Sequence, residues 1–125
     1  MLLEFNNVRQ FPNEPTRRWF SSPDMDFIVW FNADNEPVSF ELCYDKNGLE
    51  KALNWGQSGF IHTTVDDGEN RPGKYKASPV HIADGEPEIN RIYSQFLQES
   101  SGVPEKIVQF ALAALSSHPA YLPQP

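Results

Sequence analysis

The dipeptide Asn47-Gly48 constrains this chain more than any other pair of residues. It sits between two runs in which apolar and polar side chains alternate. An Asn-Gly pair so placed suits a two-residue type I′ hairpin, whose central residues both need positive φ. That turn sets a register: Lys46 opposite Leu49, Tyr44 opposite Lys51, Leu42 opposite Leu53 and Phe40 opposite Trp55. A three-residue loop would set Leu42 against Ala52 and Phe40 against Asn54, losing the apolar matches. The favoured register does place Asp45 against Glu50. Like charges at a wet hairpin end cost only tenths of a kcal/mol, roughly, against up to about 1 kcal/mol for each good cross-strand pair.

The strand before the hairpin follows the same logic. In "MDFIVWF", Met25, Phe27, Val29 and Phe31 alternate onto one face. Joining Phe31 to Val38 across "NADNEP" sets Val29 opposite Phe40 and Phe27 opposite Leu42. The three strands then share one apolar face that includes Val38, Tyr44 and Trp55. A fourth strand is expected over residues 60–65, with further edge strands over 3–11, at Trp19-Phe20 and over 80–83. Residues 87–100 read as a helix. Pro87 suits its first turn, Ile89, Ile92, Tyr93 and Phe96 fall at helical spacing, and Gly102 stops it. Pro104 opens a second helix with the stripe Ile107, Val108, Ala111, Leu112 and Leu115, ending near His118. The short connection makes the two a helical hairpin, and its apolar stripes need the sheet's apolar face as partner. The expected fold is α+β: an antiparallel meander of four to six strands with a C-terminal two-helix hairpin on one face. Residues 1–118 form a single domain and 119–125 a loosely ordered tail.

The chain has 125 residues, enough for one core without disulfides or metal. Nine Phe, four Tyr and three Trp supply that core, since each buried aromatic removes about 150–250 Å² from water. The net charge of −7 repels phosphate backbones and anionic lipid heads. Neither a signal-type apolar stretch nor a membrane-span window is found. One cysteine, Cys43, excludes an internal disulfide. A soluble, acidic, cytoplasmic protein that binds neither nucleic acid nor membrane is the expectation.

Chemistry has few places to sit. The stretch "FIHTTVDDGENRPGKYK", with His81 beyond it, gathers metal-capable His62, Asp66, Asp67 and Glu69. On a straight strand Asp66 lies roughly 13 Å from His62 at about 3.3 Å per residue, and none of the established metal spacings is present. The plain reading is an Asp-Asp-Gly turn with solvated acids. A metal-assisted hydrolase built on His62, Asp66, Asp67, Glu69 and His81 is the alternative. "DKNGLE" starts like a calcium loop but departs from it at Leu49 and Glu50. Cys43 with His62 as base would need a cationic neighbourhood, whereas Glu41, Asp45, Asp26 and Ala52 surround it. "TRRWF" sets Arg17 and Arg18 beside a stacking ring, but it reads more simply as a core anchor whose arginines pair with acids. The second helix carries a single Lys, which removes a DNA-binding reading of the helical pair. "GENRPGKYKASP" lacks P-loop spacing.

Parity leaves Ile28, Trp30, Glu41, Cys43, Ala52 and Asn54 on the sheet's other face. Trp30 falls opposite Ser39, and Ile28 opposite Glu41. In a two-layer domain both large side chains stay partly wet, and such a patch marks a binding surface. Alternatively the N-terminal strand or residues 17–20 cover this face, with Arg18 pairing to Glu41. The leading function is therefore a ligand- or partner-binding domain without cofactor, its ligand a small molecule or a protein. A purely structural or oligomerising role is the third possibility.

The stretches "RRWF", "DFIVWF", "SFELCYDKNGLEKALNW", "GFIHTTVDDGE" and "SPVHIADG" resemble a family of small bacterial conserved hypothetical proteins. The resemblance covers residues 8–85. It implies a bacterial cytoplasmic origin and assigns no activity, cofactor, partner or site residue.

Overall fold

The computed structural model describes residues 1–5, 16–46, 48, 50–66, 80–83 and 88–123. Among these residues, seven strands form one antiparallel sheet: β1 (Leu3–Glu4), β2 (Thr16–Ser21), β3 (Met25–Phe31), β4 (Pro37–Tyr44), β5 (Lys51–Gly56), β6 (Gly59–Asp66) and β7 (Val80–Ala83). Each strand pairs with the next in the chain, so the sheet is a plain meander. Two helices follow, α1 (Ile89–Glu99) and α2 (Glu105–Ser116), joined through a 3-10 turn at Ser100–Gly102. The fold is the expected α+β meander with a C-terminal helical hairpin, and the two-residue β1 brings the strand count to seven.

The hairpin register is the one that the apolar matches favoured. Phe40 pairs with Trp55, Leu42 with Leu53 and Tyr44 with Lys51. The turn chemistry differs. Pairing stops at Tyr44 and Lys51, and Asp45, with φ at 58°, takes the left-handed conformation. Gly48 does not adopt positive φ, and its amide donates to the Asp45 carbonyl at 3.0 Å. Asn47 and Leu49 lie outside the described residues. Aspartate tolerates the left-handed region better than most side chains, so a longer loop closes the strands in the same register.

The β3–β4 connection departs by one residue. Val29 faces Phe40 and Phe27 faces Leu42 as expected, but Phe31 faces Pro37 rather than Val38. Asn32 explains the shift. Its side-chain oxygen accepts from the Asp34 and Glu36 amides at 2.9 and 3.0 Å, and its own amide donates to the Glu36 carbonyl at 2.9 Å. This Asx-type turn pairs residue 32 with residue 36. That spacing is one residue out of step with the ladder beyond, and a bulge absorbs the mismatch. Val38 is the residue left over, and it is 40% exposed instead of joining the apolar face.

The core lies between that face and the two helices. Phe27, Phe40, Leu42, Tyr44 and Leu53 pack with Ile89, Ile92, Phe96, Ile107, Ala111 and Leu115 in one cluster. The Phe27 and Phe96 rings meet at 4.8 Å between centroids. Each such side chain contributes about 1.5–3 kcal/mol on full burial. Trp55 is only half-buried: it forms the rim, against Phe110 of α2 at 5.5 Å. The helix ends also have local causes. Pro87 lies outside the described residues; Glu88 is the N-cap of α1, Ser100 its C-cap, and Pro104 the N-cap of α2. In the expected tail, Tyr121 rests on Tyr93 at 5.1 Å, and the Asn90 amide brackets the Leu122 backbone at 2.6 and 2.8 Å. No described helix is long and apolar enough to cross a membrane.

Candidate functional site

The sheet face away from the two described helices is built from cross-strand rows. One row runs Trp19, Ile28, Glu41, Asn54 and Ile61 across β2 to β6. A second, of smaller side chains, runs Ser21, Asp26, Cys43, Ala52 and Thr63. Beyond the first row Trp30 stands between Arg17 and Ser39. The face expected from parity is thus assembled as one surface. Trp30 is half-buried as expected, but Ile28, expected to stay partly wet, is buried, as are Cys43 and Ala52; Glu41 and Asn54 are half-buried, and Ile61 is 55% exposed. Next to Ser39, a Cβ at Gly56 would sit 3.2 Å from the Ser39 Cβ, a tight contact that needs the neighbour to give by a few tenths of an ångström.

Among the described residues, the N-terminal segment meets this face at Trp19. Phe5 rests on Trp19 at 5.8 Å, and its amide donates to the Trp19 carbonyl at 2.8 Å. Trp19 keeps its indole N–H shielded from solvent and, among the described residues, without an acceptor. Arg18 does not pair with Glu41. It projects with Phe20 toward the other side of β2, lies over the Phe20 ring and grips Glu4 with two bonds of 2.8 and 2.7 Å. Those bonds hold the Glu4 carboxyl below its ordinary range. Residues 16–21 therefore act as a core anchor, with Phe20 fully buried.

Cys43 is no nucleophile in this setting. Burial comes first, and the negative charges of Glu41, Glu50 and Asp26 add to it; together they push the thiol far above its usual range. The thiol stays protonated and donates to the Glu41 carboxylate at 3.5 Å. Asp26 is occupied by Lys46, at 3.0 Å, and by the Ser21 hydroxyl.

Of the metal-capable residues, His62, Asp66 and His81 fall among the described ones. His62 lies on the helix-covered side of β6, half-buried, with its Nε2 hydrogen-bonded to the Tyr44 hydroxyl and its ring stacked on Tyr44 at 5.9 Å. The ladder sets Asp66 opposite Val80 and His81 opposite Val65, so His81 is out of phase with His62 along the pleat. Asp67 and Glu69 lie outside the described residues. Among the described residues, no three His, Cys, Asp or Glu side chains gather as a metal ion would need.

One polar constellation was not foreseen. Arg91 of α1 reaches the hairpin loop, gripping Asp45 at 3.0 and 3.1 Å and Glu88 at 2.7 Å, with its guanidinium 5.5 Å from the Tyr44 ring centre. The like-charge placement of Asp45 and Glu50 was the only sequence sign that a cation was wanted there.

No family model, curated protein or solved structure matches the chain.

Proposed function

We propose that this protein is a binding module and that the sheet face away from the two described helices is the binding surface. One observation carries the proposal. Both described helices pack on the opposite face, while this one presents half-buried Trp30, half-buried Trp19 and open Ile61 in adjoining rows. Apolar surface left partly in water next to a few polar groups is the usual make-up of a recognition site. A thiol mechanism finds no support, because Cys43 is buried and held protonated by surrounding acids. The hydrolase alternative would have to unite His62 and His81 across the phase of the pleat. The resemblance to small bacterial proteins assigns no competing activity.

Amide chemical-shift mapping tests the proposal. The probes are capped tripeptides, acetyl-Gly-X-Gly-amide, with Trp, Leu, Arg, citrulline or Glu at the centre. Shifts are expected on residues 28–30, 39–43 and 52–54 and not along the exposed sides of the helices. Shifts centred on Tyr44, His62 and Arg91, or none with any probe, would overturn it.

A further inference from the structure

We infer that the occupant of this face is a basic partner segment, which places a guanidinium or ammonium side chain against Glu41 and the neighbouring indole Trp30. The inference rests on the binding-surface proposal and adds the chemistry of the partner.

Glu41 stands in the middle strand of the face, between Ile28 and Asn54. Ser39 precedes it by two residues on the same side, and Trp30 is Ser39's partner on β3. Residues two apart on a strand are about 7 Å from one another, within the span of an arginine side chain that stacks on one group and bonds the other. Glu41 is half-buried, and among the described residues its partner is a thiol, a weak donor that supplies no charge.

Of the other described carboxylates, Asp34 and Glu105 stand exposed to water, while Glu4, Asp26, Glu36, Asp45, Glu88 and Glu99 each have a cation within 3.0 Å. Glu41 has none among the described residues. Lys46 is taken by Asp26 and the Ser22 carbonyl, and Arg18 by Glu4. Arg17, beside Trp30, is two strands from β4, about 10 Å away by strand spacing.

A half-buried carboxylate with no cation beside it among the described residues is an open acceptor for one. An incoming cation gains a charge-assisted bond there. The indole face adds attraction through its quadrupole, most strongly for arginine, which can stack and bond at once. The net charge of −7 brings cations to the surface generally, and Glu41 with Trp30 supplies a defined place for one.

The test compares acetyl-Gly-Arg-Gly-amide with its citrulline counterpart, which has the same shape and no charge, by the same shift titration. On the unmodified protein the arginine peptide is expected to bind about tenfold tighter, a factor worth about 1.4 kcal/mol. Glu41→Gln should abolish that preference. Glu105→Gln, on the exposed side of α2, should leave it intact. Equal affinity of the two peptides for the unmodified protein would overturn the inference even if a variant failed to fold. So would a preference that survives Glu41→Gln, or one lost equally with Glu105→Gln, which would be bulk charge attraction. If Leu or Trp peptides shift the face while arginine gains nothing over citrulline, only the cationic assignment falls. If no probe shifts the face, the binding surface falls with it.

Discussion

Phe40 and Val38 sit two positions apart on β4, yet they should respond to mutation in opposite ways. Phe40 is 1% exposed and touches Phe27, Trp55 and Phe110. Phe40→Ala is expected to cost about 3–5 kcal/mol in a denaturant melt. Val38→Ser should change stability by no more than about 0.5 kcal/mol, because its side chain lies outside the bulge in water. Equal losses would mean that the bulge is absent in solution. Alternation in the sequence placed Phe40 correctly and misplaced Val38, since the slip comes from one asparagine side chain accepting two backbone amides. Pattern counting sees apolarity and is blind to such local hydrogen bonding. The candidate site divides in the same way. Parity put Ile28, Trp30, Glu41, Cys43 and Asn54 on one face, but it does not show that Arg18 turns to Glu4 and that, among the described residues, no cation reaches Glu41. Cys43 gives a second prediction. Its raised thiol pKa, from burial first and acidic neighbours second, should make it inert to Ellman's reagent at pH 8 until denaturant unfolds the chain. Full reaction of the folded protein within minutes would show that the thiol is neither buried nor repressed.

Arg91 ties α1 to the β4–β5 loop, and the tie is expected to depend on pH. The hydrogen bonds from Arg91, with its charge adding a smaller part, hold the Asp45 carboxyl below its ordinary value. A carboxyl depressed in the folded state stabilises it above the unfolded pKa, about 3.9, and loses that effect as pH falls through the folded value. Asp45→Asn keeps a side chain that tolerates the positive φ at this position but removes the charge and one of the two oxygens that accept from Arg91. The side chains are 32% and 43% exposed, so solvent screens the pair, and the variant should lose at most about 1 kcal/mol at pH 7. Melts repeated on acidification should show the gap closing below about pH 4. A gap unchanged down to pH 3 would mean that the contact is not ionic. Helical periodicity made α1 and α2 legible, because the stripes at Ile89, Ile92 and Phe96 and at Ile107, Ala111 and Leu115 are long and regular. The reach of Arg91 was not legible. It depends on how the helix sits over the sheet, and a single exposed arginine carries no sign of that.

Because every described strand pairs with its sequence neighbour, among the described residues the sheet alone brings no distant segments together; its first edge joins the helices elsewhere. Leu2 is fully buried in the core, and its amide donates to the Glu99 carbonyl at 2.9 Å. Gly102 lies against the Leu2 carbonyl, so close that a Cβ at that position would fall well inside van der Waals contact with the oxygen. The sequence marks Gly102 as the stop of the first helix. The structure ends that helix at Ser100 without positive φ at Gly102, so the glycine is required by close approach and not by a left-handed cap. Gly102→Ala should then force the two backbones apart and cost about 1–3 kcal/mol, as overpacking does. Leu2→Ala should cost about 2–5 kcal/mol through the lost core contacts. The two effects should not add. Once Leu2 no longer anchors its segment, the added methyl at position 102 meets a backbone free to move aside, and the double variant should lose less than the sum. Denaturant melts of all four proteins measure the coupling, which for residues in contact is about 0.5–3 kcal/mol. Additivity within about 0.5 kcal/mol would show that the Leu2 carbonyl is not what position 102 accommodates, and that the sheet's first edge closes on the helices by some other contact.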